Sequence, residues 1–443
     1  MLTAAYPLIR HAGSDAAIAY RAGRPIDAAR FLHDVSALAA RLPEHRNVVN
    51  LCSDRYRFTV GLAAALCREQ LSLLPPNDTP VMLEELAADF ADLYCLTDGA
   101  PATAAMPCFT YPAELDEFAP PVPPLVRARQ RALLLFTSGS TGRPKAQAKS
   151  WGTLVRSALA AGEMLGVNAL AHAAIIGTVP HQHSYGLEST VLLALQHGLA
   201  LQAERPFYPG DICACLDAVP RPRILVTTPM HLRALLGEPD PLPATDLVIS
   251  ATAPLPEQLA LEAETRLHAP LLEIYGCSEA GQLAVRRTAQ TSEWRCLGGV
   301  ALRQDEQGTW ASGEAVETPT LLQDEIELRG PDRFRLHGRM ADLVNIAGKR
   351  SSLAYLNHQL NAIEGVVDGA YLMPEEDGRP VVRLMAFVVA PGLAQATILA
   401  ALRRRIDAAF LPRPLVMVDA LPRNELGKLP REALLRLARS ASS

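Results

Sequence analysis

The chain reads as an α/β protein, with a large N-terminal domain of parallel sheets and covering helices and a smaller α+β unit after it. Three observations predict this. Short apolar runs of strand length alternate with helix-length segments over most of the sequence, which is the pattern of βαβ units. The 443 residues exceed what one ordinary domain holds. Past Arg339 the pattern changes to strands near 366–373 and 382–389 and a helix over 394–410. The expected division is 1–340 for the large domain and 341–443 for the small one.

In chain order, 26–42 has the periodicity of an amphipathic helix, 47–52 that of a buried strand and 55–70 that of a second helix. Pro120, Pro121, Pro123 and Pro124 break regular structure and mark a surface connection. A strand follows at 133–136 and runs into the densest cluster of small polar residues in the chain. Further units are a strand at 173–179, a helix at 187–197 and strands at 224–227 and 247–250.

Composition excludes several classes. Lys and Arg number 42 against 47 Asp and Glu, and the net charge of -5 argues against a nucleic-acid binder. The eight cysteines form no CxxC pair, so reduced thiols and no zinc site are expected. The first residues meet Arg10, His11 and Asp15 before any long apolar run, and the apolar stretch 59–67 is too short to span a bilayer. A cytoplasmic protein without membrane insertion is the expectation.

The richest segment is Leu133-Leu-Leu-Phe-Thr-Ser-Gly-Ser-Thr-Gly-Arg-Pro-Lys145. Behind the strand stand Thr137, Ser138, Ser140 and Thr141 as hydroxyls, Gly139 and Gly142, and Lys145. Glycines let backbone N–H groups approach phosphate oxygens, hydroxyls donate further hydrogen bonds, and the lysine adds a point charge. A GxxxxGK[ST] phosphate loop fails at Pro144, and a GxSxG nucleophile elbow fails at Ser138. A flexible Gly/Ser linker is disfavoured by the apolar strand in front and the Pro-Lys behind.

This run resembles the phosphate loop of the acyl-adenylate-forming superfamily, which includes acyl- and aryl-CoA synthetases, peptide-synthetase adenylation domains and luciferases. The resemblance implies that 137–142 and Lys145 handle the β- and γ-phosphates of ATP, with Thr141 and Lys145 acting in catalysis. Ala146 stands where the family usually has glycine.

Other elements occur in the family's order. Pro180-His-Gln-His183-Ser-Tyr185-Gly186 resembles the Pro-x-x-His-x-x-Gly segment along the acid pocket, which makes His183 a pocket wall or gate. A histidine in such a run is, taken alone, more often a structural hydrogen-bonder. Ser250-Ala251-Thr252-Ala253-Pro254-Leu255 resembles the Ser-Gly-Gly-Ala-Pro-Leu wall of the adenine site, and its two replaced glycines imply a narrower floor.

Glu273-Ile-Tyr275-Gly276-Cys277-Ser278-Glu279-Ala-Gly281 resembles the Tyr-Gly-x-Thr-Glu element. There Tyr275 would face adenine, Ser278 the α-phosphate and Glu279 a Mg²⁺ ion, while Gly276 and Gly281 would line the acid. Cys277 sits in a near-elbow, but an inert pocket cysteine is the expected reading. Asp324 stands where the family has Thr-Gly-Asp, with only the aspartate kept, and would bind the ribose.

Gly338-Arg339-Met-Ala341-Asp342-Leu-Val-Asn-Ile-Ala-Gly348 resembles the interdomain hinge. It implies that Arg339 reaches the ribose, that the pivot is Ala341 or Asp342, and that Gly348 lines a thiol channel. Leu421-Pro-Arg-Asn-Glu-Leu-Gly-Lys428 resembles the catalytic C-terminal loop, whose lysine bridges the attacking carboxylate and the α-phosphate.

The likeness runs from about Asn47 to Lys428. The segments 50–58 and Lys149-Ser-Trp151 resemble the compact aryl-acid ligases of aryl-polyene and xanthomonadin-type pigment pathways. What this implies is ATP-dependent adenylation of a small aryl acid such as 3- or 4-hydroxybenzoate, with a mobile lid. Transfer to the phosphopantetheine of an acyl carrier protein follows, and Arg403, Arg404 and Arg405 offer a basic patch for that acidic partner. Free CoA is the alternative acceptor. An α/β-hydrolase esterase and an inactive adenylate-binding module are the competing classes.

Overall fold

A computed structural model describes residues 4–75, 77–100, 105–115, 123–137, 145–339, 343–346, 349–374, 384–424 and 427–441. Two sheets organise the large part. The first has six strands in the order Lys145–Ser150, Arg131–Thr137, Leu71–Leu74, Asn47–Asn50, Leu93–Thr97 and Cys108–Thr110. All neighbours are parallel except the first pair, a hairpin on which Lys145 faces Thr137.

The second sheet has eleven strands. Its parallel centre is Leu271–Cys277, Leu247–Ser250, Arg223–Thr227, Ala174–Gly177, Ala200–Gln202 and Ala17–Arg21. Antiparallel strands extend both ends, reaching Asp324–Leu328 and Arg333–Arg339 on one side. The central strands are mostly apolar because both of their faces are covered.

The helix Arg55–Cys67 lies between the two sheets, with eleven of its thirteen residues buried. A helix apolar on all sides needs cover on all sides, which explains its lack of a polar face. Asp54 caps it, accepting a hydrogen bond from the Arg57 amide at 2.9 Å. Gly61 allows the close approach to the first sheet, since a Cβ there would stand 2.6 Å from Leu96 Cδ2. The fully buried Arg55 donates to the carbonyls of Gly177, Val179, Gln202 and Glu204, tying this helix to strand ends of the second sheet.

Three predicted elements differ in detail. The 26–42 segment begins extended, in the strand Arg24–Asp27, and turns helical at Ala28 because Asp27 accepts from the Arg30 amide. The 187–197 segment opens with a wide π turn, Leu187–Leu192, before the α-helix Leu193–His197. The 394–410 segment breaks after Gln395–Arg403, and Asp407 starts a separate short turn over Ala408–Phe410. The remaining C-terminal strands are Asp368–Leu372, Met385–Val389 and Leu415–Met417, packed with the helix Leu353–Asn361 around a core of Leu356, Leu360, Tyr371, Ile398 and Leu402.

Candidate active site

Parallel strands that point the same way deliver the segments after their carboxyl ends to one edge of the sheet, where ligands of open α/β folds bind. The segments singled out in the sequence stand at such ends. Arg131–Thr137 leads into 138–144, Ala174–Gly177 into 180–186, Leu247–Ser250 into 251–254, and Leu271–Cys277 carries Tyr275 and Gly276. Ser138, Gly139, Ser140, Thr141 and Gly142 lie outside the described residues, as do Ala341, Asp342 and Gly348.

One side of the cleft gathers Tyr275, Asp324 and Arg339. The Tyr275 hydroxyl donates to Asp324 Oδ2 at 2.7 Å, and Asp324 is the register partner of Arg339 on the neighbouring strand. Trp294 and Phe334 flank the Tyr275 ring at 5.6 and 5.5 Å and fix its plane. Nearby, Ala251 is buried, Ala253 half-buried and Pro254 exposed. Thr252 has φ +80°, a left-handed conformation that a β-branched residue adopts only under strain. The glycine-to-threonine exchange read from the sequence therefore alters backbone energy as well as floor volume.

The other side gathers His183, Tyr185, Gly186, Gly281 and two residues to which the sequence assigned no role in the site, Glu188 and Lys149. The Tyr185 hydroxyl is shared between the carbonyls of Thr227 and Ile249, 3.0 Å from each, which pins the segment to two strand ends beside the buried Ser250. Burial, with the charges of Lys428 and Arg205, holds His183 down to about 4, so it is neutral at pH 7.

Glu188 accepts from Ser184 Oγ at 2.5 Å and from the Gln282 amide at 3.2 Å. Burial pushes its carboxyl up, offset by those bonds and by the Lys149 charge. The Lys149 ammonium is itself buried and donates to the Glu279 carbonyl at 2.6 Å. Burial lowers its pKa, while the charges of Glu188, Glu317 and Glu279 oppose that shift. Ser278 and Glu279 are half-buried, and burial raises the Cys277 thiol to about 11, which leaves it protonated and a poor nucleophile.

The C-terminal segment meets this cleft. Gly427 packs so closely on the helix Pro229–Leu236 that a Cβ would stand 3.1 Å from Met230 Cβ, and its φ of +72° suits glycine. Lys428 follows it, with its amide bonded to Asn424 Oδ1 at 2.9 Å. Arg423 braces the turn: it donates to the Gly427 carbonyl at 2.8 Å and forms a two-pronged pair with Asp368 at 2.7 and 2.8 Å.

Residues 20–306 match the family described as AMP-binding enzyme. The chain belongs to that family. This AMP-binding enzyme is 32% identical to a 4-coumarate–CoA ligase of Rhodobacter capsulatus over 68% of its own length and 76% of the relative's. It is 22% identical to a 3,4-dihydroxybenzoate–[aryl-carrier protein] ligase of Bacillus anthracis, covering 69% and 74% of the two chains. The crystal structure of ATP-bound MatB from Rhodopseudomonas palustris shares its fold with a TM-score of 0.83, over 98% of each chain, at 19% identity. The AMP-binding enzyme is thus an adenylating acid–thiol ligase of the AMP-forming kind.

Among the described residues no group of three or more His, Cys, Asp or Glu is arranged to hold a metal. A single half-buried carboxylate, Glu279, fits an ion such as Mg²⁺ that takes one or two carboxylates and fills its shell with phosphate oxygens and water. No helix among the described residues is long and apolar enough to cross a membrane. Glu188 had a signal in the sequence: one charge within the apolar run Leu187-Glu-Ser-Thr-Val-Leu-Leu-Ala-Leu195. Lys149 had a weaker one, its place in the Lys149-Ser-Trp151 segment that carries part of the resemblance.

Proposed function

We propose that this AMP-binding enzyme activates a small aryl carboxylic acid, a 3- or 4-hydroxybenzoate, with ATP and passes the acyl group to the phosphopantetheine thiol of an acyl carrier protein. The observation that carries the reading is the meeting of the Gly427–Lys428 turn with the edge bearing His183, Tyr275, Glu279 and Asp324. Gly427 sits on Met230, and the Lys428 charge is felt at His183. A lysine on a braced glycine turn near that edge supports a role in which it meets a carboxylate and an α-phosphate together.

In the first step the carboxylate oxygen attacks the α-phosphorus. The bond to the β-phosphate oxygen breaks, pyrophosphate leaves, and the acyl-AMP remains. Negative charge builds on the phosphate oxygens, so cations and N–H donors are the catalysts needed. Lys428 and Lys145 supply positive charge, with Thr137 to Gly142 as the phosphate cradle. Mg²⁺, held at Glu279 and the phosphates, would neutralise the leaving pyrophosphate. Tyr275, Asp324 and Arg339 would hold the nucleoside.

In the second step the thiol sulfur attacks the acyl carbon, AMP leaves and the thiol proton is lost. The division 1–340 and 341–443, with rotation at Ala341 or Asp342 and a thiol channel at Gly348, would let one cleft serve both steps in turn. Arg403, Arg404 and Arg405 are exposed and offer positive charge to an acidic carrier, although only Arg403 belongs to the helix. Free CoA is the second reading, favoured by the relatives named as CoA ligases.

Acid-dependent ATP–pyrophosphate exchange over a panel of benzoates, fatty acids and malonate tests the first step. Faster exchange with palmitate than with every benzoate overturns the aryl assignment. Thioester formation with free CoA and with a phosphopantetheinylated carrier decides the acceptor.

A further inference from the structure

Glu188 has no part in the chemistry just described, yet it is the most unusual group in the cleft. It is a carboxylate buried to 6% exposure, the one charged residue of its helical run. It lies in the wide π turn Leu187–Leu192, and such turns are costly local irregularities that often mark functional positions. A buried carboxylate costs several kcal/mol, so a purely structural role would call for a tightly paired cation. None touches it among the described residues: its bonds are to Ser184 and the Gln282 amide, and Lys149 acts on it by charge without an ion-pair contact.

Its position is the second observation. The two segments assigned above to the acid, 183–186 and 276–281, come together at Glu188. Ser184 bonds one carboxylate oxygen, and a Cβ on Gly281 would stand 3.4 Å from the other. The same Cβ would stand 3.9 Å from Ser157 Oγ. Gly281 has φ +86°, so the chain keeps its missing side chain turned toward this carboxylate. On the adjoining side, the Gln282 amide group donates to Ser189 Oγ at 2.8 Å, and Lys149 binds the Glu279 carbonyl. The wall between the two segments is polar, where a pocket for a plain alkyl or phenyl group would be apolar.

We infer that Glu188 is a specificity-determining residue of the acid pocket, accepting a hydrogen bond from a donor carried on the substrate ring, a hydroxyl or an amino group. This rests on the acid-activating reading above and narrows it. A site built to hydrogen-bond a substrate hydroxyl rejects the analogue that lacks it, because binding that analogue leaves the buried polar group unpaired. The same carboxylate would repel an acid with a second negative charge at the ring's far end.

The experiment measures kcat/KM for pyrophosphate exchange with benzoate, 3- and 4-hydroxybenzoate, 3- and 4-aminobenzoate and the two methoxybenzoates. It uses the full-length wild type, Glu188→Gln and Glu188→Met. The wild type is expected to favour one hydroxy- or aminobenzoate over benzoate and over its methyl ether by at least about tenfold, and Glu188→Met to reduce that ratio by about tenfold or more. A structural role would lower every acid by a common factor and leave the ratio in place. If Glu188→Met does not fold, the ratio in Glu188→Gln decides, with a reduction of several-fold expected. A wild type that accepts benzoate and hydroxybenzoates alike, or an unchanged ratio in the folded variants, overturns the inference while the adenylation reading stands. Absence of exchange with every acid in the wild type overturns that reading and this inference with it.

Discussion

On the proposed nucleotide side of the cleft, Tyr275, Asp324 and Arg339 lie on strands of one sheet, held by a 2.7 Å hydrogen bond and by strand register. On the proposed acid side, Glu188 comes from a π turn and Lys149 from a hairpin strand of the six-stranded sheet, and the charge of one reaches the other only in the folded molecule. Groups that handle phosphate and ribose need particular backbone shapes at fixed spacings, so they are written in the sequence as short contiguous motifs. A pocket that distinguishes one acid from another is lined by whatever side chains the packing brings together. Its residues are scattered, and in the sequence they look like isolated charges in apolar runs. If this division is real, substitutions on the two sides should separate cleanly in their kinetics.

The largest expected effect is at the element proposed to serve both sides. Lys428→Ala should lower pyrophosphate exchange by about 100-fold or more, the scale on which a charge that stabilises the transition state acts. It should leave ATP binding and the preference among acids in place, and thioester formation from presynthesised acyl-AMP should survive. Near-wild-type exchange in this variant removes Lys428 from the chemistry and leaves its turn as a packing element on Met230.

Asp324→Ala should act on one side only. Loss of a charged hydrogen-bond acceptor for the ribose costs about 1.5–3 kcal/mol, which is a rise of about tenfold or more in the KM for ATP. The ratio of hydroxybenzoate to benzoate should not move. Together with the Glu188 variants this forms a cross-over test. A change of acid preference in Asp324→Ala, or of ATP KM in Glu188→Gln, would show that the two sides are one coupled network.

Much of this was legible before the structure. The parallel strands at 47–52, 133–136, 224–227 and 247–250 read correctly because a strand buried on both faces is a short apolar run with few alternatives. The grouping of 180–186, 250–254 and 275–281 in one site came from the family resemblance, since strand order is not written in the sequence. Elements governed by local hydrogen bonds were misread: the helix at 394–410 ends at Arg403, and the capping action of Asp407 is indistinguishable in sequence from an ordinary exposed acid. Glu188 was passed over because hydrophobic periodicity treats one charge in a helical run as noise. Only its distance to Gly281 gives it meaning.

A smaller effect concerns pH. Burial lowers His11, His183 and His231 to about 4 and His181 to about 3. These groups stay neutral in the fold at pH values where the unfolded chain, with histidines near 6.5, takes up protons. Each therefore stabilises the fold above about pH 6.5, and the contribution is lost as pH falls toward 4, at no more than about 1.4 kcal/mol per pH unit and group. Urea midpoints should fall between pH 6.5 and 4.5, and His11→Gln, remote from the cleft, should flatten that slope. On the acid side the consequence is kinetic: a neutral His183 gives no inflection near pH 6.5 in the exchange rate. An inflection there that disappears in His183→Gln would mean that it is protonated at work.

The smallest effect separates backbone strain from pocket volume at Thr252. A β-branched residue at φ +80° carries strain on the order of 1–3 kcal/mol, whereas glycine adopts this conformation freely but loses about 0.5–1 kcal/mol more chain entropy on folding. Thr252 also takes part in a further interaction, and any part of it made by the side chain would be lost in the glycine variant. The balance predicts that Thr252→Gly raises stability by about 1 kcal/mol or less, seen as a rise of a degree or two in Tm for a chain of this length. If the strained threonine shapes the adenine floor, the same variant should alter the KM for ATP and leave the hydroxybenzoate-to-benzoate ratio alone, as on the nucleotide side generally. Thr252→Ala tells the two causes apart, since it keeps a Cβ at positive φ but removes the branch and the hydroxyl. A Tm gain in the glycine variant and none in the alanine variant assigns the cost to the backbone. Equal gains in both assign it to the crowded side chain, and a loss in both would mean that the threonine's own interaction outweighs its strain.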